Sequence, residues 1–194
     1  VAGFFNETVD FDPGEGIATL TSNGYHDIFF AKYNSSGEYI WAKSIGGTDG
    51  GFVYGIAVDN SENLYMTGTY YGTGDFDPGE GTITLISSGE SDVYFAKYSS
   101  SGEYIWAKSL GNSGDDSSYN IALDASGMVY ITGSFIGTVD FDLGAGTTIL
   151  VAEGSSDMFF AKYNSDGEYL WAKNVSGSGY AMGQSLVLDS SENI

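Results

Sequence analysis

An all-β repeat array is the fold class this sequence predicts, and three observations predict it. A 65-residue unit recurs three times without insertion, so that Asp10, Asp75 and Asp140, Lys32, Lys97 and Lys162, and Trp41, Trp106 and Trp171 keep one spacing; such a period is the mark of a repeat architecture. Aromatic and β-branched runs of strand length alternate with turns rich in Gly, Ser and Asn. No window carries the apolar period of a long amphipathic helix.

Within a unit, Asp27 to Tyr33, the turn Asn34-Ser35-Ser36-Gly37, and Glu38 to Lys43 read as a hairpin. The turn has the chemistry of a type I turn closed by a glycine bulge. Pairing Asn34 with Glu38 then sets Ala31 opposite Trp41 and Phe30 opposite Ala42. Both faces of this hairpin are apolar, so the sheet must be covered on both sides, as stacked blades would do. A second hairpin follows: Val53 to Asp59, a turn at Asn60-Ser61-Glu62, and Asn63 to Thr69. Four strands per unit predict three tandem four-stranded β-propeller blades, over units of about 1–65, 66–130 and 131–194. The remaining stretch, Gly72 to Ile86, is expected to link the last strand of one blade to the first of the next. It lengthens the unit beyond the ~40 to 50 residues usual for a blade.

Propellers close with about four to eight blades, so three make a partial propeller or a segment of a longer array. Val1 to Phe5 reads as a lone last strand, and the final blade lacks its own. The expected partners are therefore further copies of the protein or further repeats of the same chain, joined head to tail as a ring or filament. Residues 1 to 6 would pair with the blade of another copy or with this chain's own last blade.

Composition narrows the function. With 42% hydrophobic and 15% aromatic residues the chain folds. Its 26 acidic residues against 6 Lys and Arg give a net charge of −20, which disfavours nucleic acid and anionic membranes. No segment is apolar long enough to cross a bilayer, so no membrane insertion is expected. There is no Cys, hence no disulfide framework and no thiolate metal site.

The best chemical candidate is Asp10-Phe11-Asp12-Pro13-Gly14-Glu15-Gly16, repeated from Asp75 to Gly81 and as Asp140-Phe141-Asp142-Leu143-Gly144-Ala145-Gly146. Alternating carboxylates before a glycine resemble the opening of a calcium loop, with Asp10, Asp12, Glu15, Asp75, Asp77, Glu80, Asp140 and Asp142 as candidate metal ligands for Ca2+. The alternative reading is that these carboxylates cap turn amides. Asp27, Asp92 and Asp157 would complete such a site, or pair with Lys43, Lys108 and Lys173, or cap turns. Asp59, Asp124 and Asp189 read as turn caps.

Catalysis finds little support. His26 is the sole histidine and its counterparts are Ser91 and Ser156, so it reads as a loop residue. Carboxylate pairs occur in every unit, whereas a single active site would break the repeat. Gly46 to Gly51 lacks the Lys and helix of a phosphate loop and reads as a blade loop. Trp41, Trp106 and Trp171 are expected in the blade core; an exposed Tyr70 and Tyr71 would make better sugar platforms.

Ala31-Lys32-Tyr33 before a Ser-Gly turn, Trp41 to Gly47, Gly55 to Asp59 and Leu64 to Gly68 together resemble the bacterial β-propeller repeat called SBBP. The resemblance covers all three units. It departs in the third at Asn174-Val175-Ser176-Gly177, where Ser-Ile-Gly-Gly is lost. It implies a secreted or surface-exposed bacterial array, extracellular in localisation, without common catalytic residues. The expectation is a non-catalytic, structural or adhesive extracellular repeat protein, not an enzyme; a lectin-like module binding glycans is the alternative.

Overall fold

The computed structural model describes all 194 residues and contains β-strands and turns only. In chain order the strands are β1 (Ala2–Phe5), β2 (Thr8–Asp10), β3 (Thr19–Thr21), β4 (Asp27–Tyr33), β5 (Tyr39–Gly47), β6 (Gly51–Val58), β7 (Leu64–Tyr70), β8 (Thr73–Asp75) and β9 (Thr84–Ile86). They continue as β10 (Asp92–Tyr98), β11 (Tyr104–Leu110), β12 (Ser117–Leu123), β13 (Val129–Phe135), β14 (Thr138–Asp140), β15 (Ile149–Val151), β16 (Asp157–Tyr163) and β17 (Tyr169–Val175).

Two complete blades are antiparallel meanders in the orders β6-β7-β10-β11 and β12-β13-β16-β17. The first blade holds β1, β4 and β5, three strands rather than the four expected, and its sheet continues from the end of β5 into β8 and β9 through Gly46↔Asp75 and Gly47↔Gly74. Blade and repeat unit are cut differently. Because β7 pairs with β10 over Asp92↔Tyr70 to Tyr98↔Leu64, the stretch Gly72 to Ile86 joins the second and third strands of one blade and does not link successive blades. It folds into a small hairpin, β8-β9, matched by β2-β3 and β14-β15. The crossing between blades is made instead by the glycine-rich Gly46 to Gly51 and its counterparts.

The first-hairpin register differs by one residue from that expected. Asn34 does pair with Glu38, through an N–H to carbonyl bond of 2.9 Å. A bulge then intervenes, and Ala31 lies opposite Ala42, Lys32 opposite Trp41 and Phe30 opposite Lys43. Ile40 is the extra residue, and like its counterparts Ile105 and Leu170 it is left exposed, as a bulged residue without a cross-strand partner would be. Gly37, at φ 80°, occupies the left-handed turn position.

The core lies between blades. Phe30 of the first blade packs on Tyr98 of the second with ring centroids 4.7 Å apart, and Phe95 on Tyr163 of the third at 4.6 Å. One cluster of buried residues includes Tyr65, Phe95, Trp106, Phe141 and Phe159; a second includes Phe30, Tyr70, Phe76 and Tyr98. Sheets covered on both faces by aromatic side chains give the stacking that the apolar hairpins required.

Residues 1 to 6 pair within their own first blade, contrary to the expected partner. β1 runs antiparallel to β4 from Ala2↔Phe30 to Phe5↔Asp27. β1 is thus the counterpart of β7 and β13, second strands in their blades, and the edge that β7 offers to β6 is open in β1.

Candidate functional site

The eight acidic candidates lie on the small hairpins, and each loop repeats one hydrogen-bond pattern. Asp75 Oδ1 accepts the N–H groups of Asp77 at 3.0 Å and Ile83 at 2.9 Å, and Asp77 Oδ1 accepts that of Gly79 at 2.8 Å. Asp10 serves Asp12 and Ala18, and Asp140 serves Asp142 and Thr148; Asp12 and Asp142 serve Gly14 and Gly144. The second oxygen of Asp77 lies over Gly81, 2.1 Å from where a Cβ would stand, which accounts for glycine at 16, 81 and 146. The intervening Phe11, Phe76 and Phe141 are buried, and their carbonyls accept the hydroxyls of Tyr33, Tyr98 and Tyr163 at 2.9, 3.1 and 3.2 Å. Each loop is thereby strapped to the outer hairpin of its blade. Glu15 and Glu80 stay exposed, and no group of three or more acidic or His side chains is placed to share a cation.

Asp27, Asp92 and Asp157 do not pair with Lys43, Lys108 and Lys173. They are buried at the start of β4, β10 and β16, and each accepts a turn N–H, from Asn23 at 3.0 Å, Ser88 at 3.0 Å and Glu153 at 3.1 Å. The bulge at Ile40 moves Lys43 out of the expected diagonal, and it reaches across to Glu103 of the next blade at 3.3 Å. Asp59, Asp124 and Asp189 cap their turns as expected, Asp59 Oδ1 accepting from Ser61 and Asn63 at 2.8 and 2.9 Å. Lys97 and Lys162 approach Asp59 and Asp124 at 3.9 and 3.3 Å while lying over the rings of Tyr65 and Tyr130.

Sequence reasoning missed an aromatic face at the boundary of the first two blades. His26 stands in the loop before β4, as expected, but is buried there against Phe52, Tyr25 and Phe4, with centroids at 4.5, 5.0 and 5.4 Å. Burial in this apolar setting pushes its pKa down, favouring the neutral ring. Phe52 stacks on Tyr54, which meets Tyr119 of the next blade at 5.5 Å. Tyr54, Tyr25 and Phe4 are exposed. Tyr70 is buried, its hydroxyl bonded to Ser109 at 2.7 Å and its pKa pushed up to about 12 by burial; it is no sugar platform, and only the half-buried Tyr71 joins the face. The signal was available: Phe4, His26 and Phe52 occupy positions held by Thr69, Ser91 and Ser117 in the next unit, a break in the repeat.

No family model matches the sequence. The chain is similar to the uncharacterized WD repeat-containing protein L264 of Acanthamoeba polyphaga mimivirus, 29% identical over 216 residues that cover 94% of this chain and 16% of that protein. It is also similar to the regulatory protein FlaEY of Caulobacter vibrioides, 24% identical over 110 residues, 57% of this chain and 12% of that protein. The chain therefore spans a small part of the length of these relatives. Similarity to a WD repeat-containing protein agrees with the β-propeller-type repeat that the sheets display.

Proposed function

We propose that this chain is a non-catalytic β-propeller repeat module of SBBP type, structural or adhesive, working at the cell surface or outside the cell and joined to further repeats by strand addition. The observation that carries the joining is the open edge of β1. Beside it lies a cleft of about 620 Å³ lined by Trp41, Ile56, Val58 and Leu64. Ile56 is 44% exposed there, whereas its counterpart Ile121, covered by β6, is 4% exposed. An apolar cleft along an open strand edge is the setting in which an added strand gains main-chain bonds and buried side chains together.

The strand that fits is one of the same repeat. Residues 182–188 are the counterpart of β12, and shifting the β12-β13 register by repeats would place Met182 opposite Phe4, Gly183 opposite Gly3 and Leu186 opposite Val1. A peptide of residues 180–190 added in excess should slow amide exchange in Ala2–Phe5 and raise the melting temperature. Exchange as fast as with a scrambled peptide would defeat the proposal.

Glycan binding is the second reading, favoured by the exposed faces of Tyr54 and Tyr25, which offer stacking surface. Calcium stabilisation would require ligands beyond the two Asp carboxylates of each hairpin tip.

A further inference from the structure

Acid breaks the repeat at one blade boundary. Where Asp115 and Asp116 stand, the other units have Gly50 and Gly51, and Tyr180 and Ala181. Asp116, just before β12, and Asp92, the first residue of β10, are each 1% exposed. Asp116 Oδ1 accepts the N–H of Ile136 at 3.0 Å and its Oδ2 that of Asn112 at 2.8 Å. Its own N–H donates to the Ser91 carbonyl at 3.0 Å, and its carbonyl accepts the Thr69 hydroxyl at 2.8 Å. One residue so ties the start of the third blade to β7, to the approach to β10 and to the loop after β11.

Asp92 Oδ2 accepts Ser88 N–H at 3.0 Å and the Ser109 hydroxyl at 3.4 Å, but its buried Oδ1 has no partner, like Oδ1 of Asp27 and Asp157 at the same repeat position; only at Asp92 does a second acid stand beside it. Both acids converge on Gly111. A Cβ there would lie 2.4 Å from Asp92 Oδ1 and 3.0 Å from Asp116 Oδ2, so the two oxygens share room that only glycine leaves. The surrounding groups offer no cation: Asp115 accepts the Ser91 hydroxyl at 2.9 Å, Ser109 bonds Tyr70, and Tyr71 lies within the field of Asp115. All four ion pairs of the molecule lie elsewhere, on Asp59, Glu62, Glu103 and Asp124. Two carboxylates buried together without a cation cannot both stay ionised at small cost.

We infer that Asp92 Oδ1 carries a proton and donates it to Asp116 Oδ2, a shared-proton latch holding the second blade to the third across Gly111. The unpartnered oxygen decides which acid holds the proton, since both oxygens of Asp116 already accept amides. A proton suits the space better than a metal, which would ask for about six or more oxygens. The electrostatics point the same way: burial, aided by Asp92 and Asp115, raises the pKa of Asp116 to about 6, and burial raises that of Asp92 as well. The two acids titrate as a pair. Below that range the boundary is latched; above it, repulsion between the carboxylates loosens this boundary and no other.

Carboxyl-carbon NMR titration of the wild type and of Asp92→Asn, with amide exchange at Asn112 and Ile136, tests the latch. The wild type should show a step near pH 6 and, above it, protection at the two amides falling by about tenfold. Asp92→Asn, whose amide donates at every pH, should lose both effects. Asp157→Asn, the same repeat position without a second acid, should keep them. Both carboxyls titrating below about pH 5, near their ordinary range, would overturn the latch. So would a wild-type step in Asp92→Asn. If Asp92→Asn does not fold, the wild-type titration decides alone.

Discussion

Trp106 Nε1 donates to the carbonyl of Ser165 at 3.1 Å, joining the outer strand of the second blade to the last turn of the third. The ring packs on Phe95 and Tyr65 of its own blade at 5.7 and 6.0 Å, so the apolar body is anchored in one sheet while the polar tip holds the next. Trp106→Ala should cost about 3 to 5 kcal/mol, the range for large aromatic truncations in a core. Trp171 has the equivalent neighbours Tyr130 and Phe160 but is less buried, and its Nε1 makes no bond like that of Trp106 to Ser165, so Trp171→Ala should cost clearly less. Urea unfolding of both variants checks the order.

The four ion pairs are unequal. Lys162 and Asp124 have side chains 18% and 2% exposed, against 39% and 69% for Lys32 and Glu62. Lys162→Met strands a buried carboxylate and should lose roughly 3 kcal/mol; Lys32→Met should lose less than about 1 kcal/mol. Equal losses in chemical denaturation would contradict the burial argument.

For the acidic hairpin tips, Asp75→Asn with Asp77→Asn should destabilise by roughly 1 kcal/mol per weakened cap. If calcium also binds, it stabilises the wild type by mass action, on the order of 3 kcal/mol at a hundredfold excess over the dissociation constant. Melts with calcium and with chelator at equal ionic strength separate the two contributions. Identical wild-type melts would leave capping alone.

Stability should peak in mildly acidic solution. Turn amides and neighbouring Lys side chains hold Asp59 and Asp124 below the ordinary 3.8 despite burial, so their contribution is present above that value and is lost as pH falls through their folded values. The Asp92–Asp116 pair acts in the opposite sense: burial raises Asp116 to about 6 and raises Asp92 as well, so the folded pair keeps a proton that the unfolded carboxylates lose, and stability falls as pH rises from 3.8 to about 6 and stays lowered above. The net charge of −20 pushes the same way. Melting temperatures should therefore be highest near pH 4 to 5 and lower at pH 7; a rise from pH 5 to pH 7 would count against this assignment.

Much of the architecture was legible because a repeat writes its structure several times. Phe30, Phe95 and Phe160 sit at one position of the unit, and the first two find Tyr98 and Tyr163 one unit further on, which is why the pattern demanded stacked sheets. Turn chemistry was equally local: Asn34 and Asp59 bond amides two and four residues away, within reach of any reading of the chain. The lysine partners were not legible. A one-residue bulge at Ile40 rotates every later side chain to the other face, so the diagonal from Asp27 to Lys43 never forms.

By itself the sequence determined the all-β class, the 65-residue unit, the hairpin turns and the carboxylates that cap them, since each depends on contacts a few residues apart or on a period visible in the chain. Only the tertiary structure decided where a blade begins, because that rests on β7 pairing with β10 across the β8-β9 hairpin, a choice between strand edges that look alike in sequence. It alone brought Phe52 against His26, and Asp92 against Asp116 at Gly111. The members of each pair belong to adjoining blades, and close packing of twisted sheets, not local propensity, fixes which side chains meet there.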